Sequence, residues 1–244
     1  MTNPDRRPVT GIARAYSDRV EVRGRDLAGD LMGRLSFTEY FHLLLTGEEP
    51  GEEQRFFLDL LLVSIAEHGL MPSNVAARMT LAADPGSLHG AVAAGILGAG
   101  PVVLGTSEEC ARLLAAAGEP AEIVRRYRAA GERVPGFGHP VHKPVDPRAE
   151  RILTLADERG VSGAHVARAR ALHVELGLTM NVSMPIAAVM LDLGFPPAAV
   201  KAVPILARTA SLLAHLAEER AAPTGFALAR AAEEAVDYEP DARA

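Results

Sequence analysis

Apolar positions along this chain recur mostly at helical spacing, and the stops between them are glycines and prolines. Ser36-x-x-Glu39 has the form of a capping box before the apolar run Tyr40 to Leu45, which Gly47 ends. Glu52 to His68 carries Phe56, Phe57, Leu60, Leu61 and Ile65 on one face, and Gly69 closes it. Pro72-Ser73 opens a helix over Asn74 to Ala83. Ser107 with Glu108 and Glu109 opens another, stopped by Gly118, and Pro120 starts the next, stopped by Gly131. Pro147 stands at a first-turn position before Arg148 to Arg159. Ser162 is read as the cap of a helix ending near Gly177. Met184 to Leu193 stops at Gly194, and Pro197 to about Arg220 is one long Ala/Leu-rich helix. Strand alternation is confined to a short piece at Val20 to Val22, and Asp237 to Ala244 reads as a frayed end. The expectation is an all-α protein.

Composition changes this picture little. At 244 residues, with 48% hydrophobic and 23% charged residues, the chain can bury a sizeable core in one large or two small domains. A net charge of −6 argues against a nucleic-acid partner. Cys110 is the single cysteine, so neither an intramolecular disulfide nor a cysteine-based metal cluster is available. Met1 to Arg25 is polar, with no apolar core of a signal peptide, and a cytoplasmic location is the default expectation. The uncharged run Ser87 to Ser107 is broken by interior glycines and Pro101. It is read as a tightly packed segment rather than a membrane span.

The candidate chemistry concentrates in Val134-Pro135-Gly136-Phe137-Gly138-His139-Pro140-Val141-His142-Lys143-Pro144-Val145-Asp146-Pro147-Arg148. Glycines at 136 and 138 permit positive φ and close approach of a ligand. His139 follows the turn as a side chain that titrates near neutral pH. Arg148 is a forked, permanently charged donor suited to a carboxylate. The pattern points to an anionic substrate undergoing proton transfer. A Gly/Pro-rich loop with a solvated histidine is the alternative. His139-x-x-His142 is not read as a metal pair, because no third ligand stands nearby in sequence and the loop is not helical.

This stretch resembles the G-[FY]-G-H-x-V-x(4)-D-P-R signature of the citrate synthase superfamily. Further segments resemble that family's elements in the family's order. They are Val22 to Leu27 with Leu35 to Glu39, Glu67-His68-Gly69 through Arg78, Gly86-Ser87-Leu88-His89-Gly90, Asn181-Val182-Ser183, and Arg208 in Ala207 to Ala210. The short chain is similar to the compact citryl-CoA lyases and to the carboxy-terminal part of ATP-citrate lyase. The resemblance implies a citrate synthase-like fold, with a large helical domain from residues 1–94 and 179–244 and a small helical domain from 95–178. It also implies an interdomain cleft, a homodimer, and no membrane association. The implied substrates are an acyl-CoA and a 2-oxo acid or citrate-like carboxylate. Coenzyme A enters as part of the substrate and no metal is expected.

Residue by residue, the resemblance implies that His89 hydrogen-bonds the enolising thioester and that His139 serves the carbonyl oxygen of the oxo acid. His68, Arg148 and Arg208 would hold the substrate. Val134, Pro135, Gly136, Phe137 and Gly138 would cradle adenine, and Lys143 would face a CoA phosphate. The bland alternatives are a buried structural role for His89, a helix-dipole role for His68, and solvated helix-face charges for the arginines. The chain departs from the family at Ser183, which stands where the family has its catalytic aspartate, and a hydroxyl is a weak base. A further family arginine given to the partner's site has no clear match: either Arg220 substitutes for it or the contact is absent. Three readings follow: a citryl-CoA lyase-type enzyme, the same fold with altered acyl-CoA chemistry, and a non-catalytic CoA-thioester-binding paralogue.

Overall fold

The computed structural model describes residues 7–139 and 141–240. Residues 1–6 of the polar start, Pro140 of the signature loop and residues 241–244 of the expected frayed end lie outside them. The chain is mostly helical, as expected, and its backbone divides into a compact unit up to Asp59 and another from Leu60 onward.

The first unit opens with a three-stranded antiparallel sheet, β1 (Ala13–Ala15), β2 (Val20–Val22) and β3 (Arg25–Asp26). Only β2 was legible as alternation; strands of two or three residues are too short to show a period. A five-residue π-turn at Leu27–Leu31 follows. α1 (Phe37–Thr46) has the full capping box, with Ser36 and Glu39 each accepting from the other's backbone, and Gly47 ends it in the left-handed region. Val22, Leu31 and Leu43 form the small core of this unit. α2 (Glu52–Ala66) begins here and ends in the second unit.

In the second unit, α3 (Pro72–Ala83), α4 (Leu88–Leu104) and α10 (Ala202–Ala221) pack on one another through Ala77, Leu81, Ala91, Leu212 and Leu216. Small residues set the α4 contacts: a Cβ at Gly95 would stand 2.6 Å from Leu212. α4 is kinked at Gly100, just before Pro101, whose ring cannot continue the hydrogen-bond ladder. α9 (Ser183–Asp192) is buried from Ser183 through Met190, walled by α5 (Ser107–Ala115), α7 (Pro147–Glu158) and α8 (Ala164–Leu176), while α6 (Pro120–Ala130) lies on α8.

Two expectations are corrected here, and one element is new. The run from Pro197 is a 3-10 turn (Pro197–Ala199) followed by α10, not one continuous helix. Ser162 does not cap α8. Its hydroxyl donates to Asp157, and the N-terminal amides of Gly163, His165 and Val166 are taken by Asp192, 26 to 29 residues away, at 2.8–2.9 Å. A last helix, α11 (Gly225–Glu234), was not foreseen and packs on α3. The stretch from Pro197 to Ala221 is long and apolar enough to cross a bilayer, but half of its most apolar part is buried and it carries buried Arg208 and Glu219, the pattern of a core helix.

Candidate active site

A cavity of about 380 Å³ in the second unit collects residues far apart in sequence. Ile65, His68 and Met71 come from the end of α2 and the turn after it, and Gly105 and Thr106 from the end of α4. Arg133, Gly138 and His139 come from the signature loop, Arg148 from α7, Asn181 to Ser183 from the entry of α9, and Arg208 from α10.

Asp146 is the pivot of the signature loop. It is 0% exposed and caps α7 through the Arg148 amide at 3.1 Å. It grips the Arg148 side chain by Nε at 3.0 Å and by a terminal nitrogen at 2.9 Å, and accepts from the Val182 amide at 3.2 Å. Burial by itself raises its carboxyl; the Arg148 hydrogen bonds and charge outweigh burial and hold it below the usual range. One carboxylate thus fixes the arginine and joins the loop to α9.

His139 is held in one tautomer. Its Nδ1 accepts from the backbone amides of His142 at 2.8 Å and Val141 at 3.1 Å, so the proton of the neutral ring is on Nε2. Arg148 lies 3.4 Å from that Nε2. Burial, then the neighbouring His142, lowers the pKa of His139; burial, then Arg148 and Arg208, lowers that of His68. Both rings are therefore neutral at neutral pH.

Arg208 is only 4% exposed. One of its nitrogens donates to the Ala66 carbonyl at 3.3 Å, and its Nε has no partner among the described residues. Burial pushes its pKa down, Glu67 pushes it up and Arg148 adds to the lowering. A buried guanidinium with an open donor is a ready carboxylate site.

Ser183 opens α9, 4% exposed, with its amide on Asn181 Oδ1 at 3.1 Å. A Cβ on Gly105 would stand 2.9 Å from its hydroxyl, so only glycine admits this approach. Asn181 ties the same corner to the loop by donating to the Gly138 carbonyl at 3.1 Å. Among the described residues, no aspartate or glutamate lines the cavity.

The structure thus brings together His68, His139, Arg148, Ser183 and Arg208, and leaves His89 apart. That histidine is exposed in the first turn of α4, whereas it is the other end of α4 that leads to Gly105 and the cavity. At 1.5 Å per residue the two ends lie on the order of 20 Å apart. A Gly-Pro pair, Gly100-Pro101, stands toward the cavity end, and the residues after it, Val102, Val103 and Leu104, are apolar. Lys143 is exposed and lines no part of the cavity.

In the 134–138 stretch the backbone groups are largely engaged. The Gly136 amide donates to Thr106 at 3.1 Å and the Gly138 amide to the Thr179 carbonyl at 2.7 Å, while the Gly136 carbonyl accepts from Asn181 at 3.0 Å. Val134, Phe137 and Gly138 instead line a neighbouring cavity of about 450 Å³ with Arg128, Arg133 and Leu178. Pro135 and Gly136 line neither. Gly138 and Arg133 belong to both cavities, so the two adjoin.

The argument from sequence against a metal pair is corrected in one respect: a third imidazole, His68, does lie near. Ring nitrogens of His68, His139 and His142 fall within 4.8 Å of one another. The tautomer of His139 works against metal ligation through Nε2, because a metal-bound ring donates from its other nitrogen, whereas Nδ1 here faces two donors. Sequence reasoning passed over Thr106, Gly105, Arg133 and the pivotal role of Asp146. The adjacency of Asp146 to Arg148 was the available signal.

Known proteins resemble this chain in sequence and in fold. A family profile described as citrate synthase, C-terminal domain, matches residues 9–231. The citryl-CoA lyase of Hydrogenobacter thermophilus superposes with a TM-score of 0.87 at 31% identity, covering 98% of this chain and 97% of that one. The ATP citrate lyase of Methanosaeta concilii superposes at 0.79 with 19% identity, over 98% of this chain and 43% of that one, a likeness of fold. The citrate synthase of Haloferax volcanii is 30% identical over 198 residues, 76% of this chain and 52% of that protein. The chain spans about half the length of the curated relatives it matches.

Proposed function

The chain belongs to the citrate synthase family, and we propose that it is a CoA-thioester enzyme of citryl-CoA lyase type, cleaving citryl-CoA to acetyl-CoA and oxaloacetate or running the reverse condensation. The observation that carries this reading is the juxtaposition of a neutral, tautomer-fixed His139 with Arg148 and the buried, open-donor Arg208 in one cavity. The near-complete overlap with a citryl-CoA lyase of matching length supports it. The two guanidinium groups hold the carboxylates of the oxo-acid half. His139 presents Nε2–H to the oxygen that is hydroxyl in citryl-CoA and carbonyl in oxaloacetate, where it stabilises developing negative charge. The thioester half lies toward Ser183 and Gly105. The adjoining cavity at Arg128, Arg133 and Phe137 would take the nucleotide end of CoA. A larger domain of residues 1–94 and 179–244 closing against 95–178, and a homodimer, belong to the same proposal.

Cleavage needs no net proton: the hydrogen leaving the citryl hydroxyl is the one the acetyl-CoA enolate gains. Ser183 can pass that proton but cannot hold it as a carboxylate would, and loss of a general base typically costs about 10²–10⁴-fold. Because no cavity-lining side chain is a carboxylate, a second reading is favoured by a specific observation: a paralogue that binds CoA thioesters without turning them over. Oxaloacetate release from citryl-CoA, run beside Ser183→Asp, separates the two. Release by the unmodified protein supports the lyase. Release only by the variant means the cavity is intact and Ser183 has silenced it. With neither active, the lyase reading fails. His139→Ala is expected to abolish any turnover while CoA-thioester affinity survives.

A further inference from the structure

The turn that carries His68 is fastened to one face of α10. Arg208, Ser211 and His215, spaced i, i+3 and i+7, share that face. Arg208 donates to the Ala66 carbonyl at 3.3 Å. Ser211 donates its hydroxyl to Glu67 Oε2, and His215 Nε2 lies 3.1 Å from the same oxygen. The other Glu67 oxygen accepts from the amides of His68 at 2.8 Å and Gly69 at 2.6 Å. Behind this, Arg78 occupies His215 Nδ1 at 2.8 Å and is itself anchored to buried Glu219 at 3.0 Å, and Asn74 donates to the Gly69 carbonyl at 2.7 Å. Glu67 does not line the cavity, yet its charge raises the pKa of Arg208.

We propose that Glu67 is a positioning residue for the anion cavity, setting the His68 backbone against α10 and standing as counter-charge beside Arg208. This rests on the reading of the cavity as a citrate-like carboxylate site. A merely structural carboxylate would change stability and leave the folded protein's ligand contacts as they were. A positioning carboxylate also changes what His68 and Arg208 do. Misplacing a binding group by about an ångström costs roughly 100-fold.

The test uses Glu67→Ala, Glu67→Gln and, as a milder change that leaves the acid in place, Ser211→Ala. Three readouts are taken on folded protein: kcat and KM for citryl-CoA, the calorimetric Kd for free citrate, and the Kd for free CoA. Glu67→Ala is expected to lower kcat roughly 10- to 100-fold and to weaken citrate binding, with CoA affinity unchanged. Glu67→Gln, which keeps a carbonyl oxygen for the His68 and Gly69 amides, should recover part of the loss. The deficit should be the same across pH 5 to 9, since Glu67 stays ionised there. Wild-type kcat and citrate affinity in folded Glu67→Ala would overturn the proposal. If the wild-type protein binds citrate without turning over citryl-CoA, the lyase reading fails alone, and the citrate Kd of the variants still decides for or against Glu67. If citrate does not bind at all, the ring resonances of His68 decide: unchanged between wild type and Glu67→Ala, they refute positioning; shifted, with those of His165 in place, they uphold it.

Discussion

At the scale of single residues, the chemistry of this cavity depends on keeping imidazoles neutral among guanidinium groups. His139 has its Nδ1 committed to two amides, so protonation there sets a ring N–H against two backbone donors and breaks the placement of its Nε2–H. Burial and the stacked His142, 4.4 Å away between ring centroids, lower its pKa. Protonation therefore sets in only below the ordinary histidine value of 6.5, and activity should persist to a more acidic pH than an unperturbed histidine would allow. His142→Leu removes a neighbouring ring whose electrostatic influence lowers the His139 pKa. Working through the sign, a proton on His139 is then opposed less, its pKa rises toward the ordinary value, and the acid limb of kcat/KM moves to higher pH. The profile of the variant against wild type checks this; an acid limb unmoved or shifted downward would contradict it. His68 faces the same cluster together with Arg148 and Arg208, so its own titration contributes to the limb in the same direction.

At the scale of elements, the signature loop is shaped as much by packing as by ligand. Gly136 was expected to let a ligand approach; its positive φ of 82° is real, but what approaches is the core. A Cβ there would stand 2.7 Å from Cys110 Sγ and 2.8 Å from the Met184 methyl. Gly136→Ala should thus destabilise by about 1–3 kcal/mol through overpacking and backbone strain. It should also loosen Asn181, whose amide donates to the Gly136 carbonyl, and through it Ser183, whose amide donates to Asn181 Oδ1. A lowered urea midpoint with unchanged slope is the expected result. This residue shows which part of the fold was legible. Glycines and prolines mark where helices begin and end, because they act through their own backbone, so α1 to α3 and α5 to α7 fall close to their expected places, whereas α4 was expected only as a tightly packed segment. What a glycine touches is set by distant chain, and Cys110 and Met184 carry no local signal. The same reason hid the capping of α8 by Asp192. His89 is the sharpest case: a five-residue likeness at Gly86–Gly90 pointed to the cavity, but only the three-dimensional course of α4 reveals that its far end, after Gly100-Pro101, reaches Gly105. The D-P-R run was more informative because Asp146 and Arg148 pair locally.

At the scale of the whole molecule, the second unit is jointed by carboxylates. Glu67 ties the His68 turn to α10, Asp146 the signature loop to α7 and α9, Asp192 the start of α8 to α9, and Glu219 α10 to Arg78 of α3 and the start of α11. Burial alone would raise all four, yet hydrogen bonds outweigh it and all four lie below their ordinary values, Glu67 at about 2. A carboxyl depressed by folding stabilises fully above its unfolded pKa, near 4, and that contribution disappears as pH falls through the folded value. His68 and His139, with lowered values, act in the same sense: below 6.5 the unfolded chain takes up their protons first and is favoured. The melting temperature should therefore be level from pH 7 to 8, decline gently below 6.5, and fall steeply below about 4. On the proposed reading of the cavity, citrate held by Arg148 and Arg208 should raise the melting temperature at pH 6 to 7, as any ligand selective for the folded state does. Arg208→Gln should remove that increment while leaving the acid fall in place, since the four carboxylates are untouched. A melting temperature constant down to pH 3 would show that these carboxylates are not what holds the helices to one another.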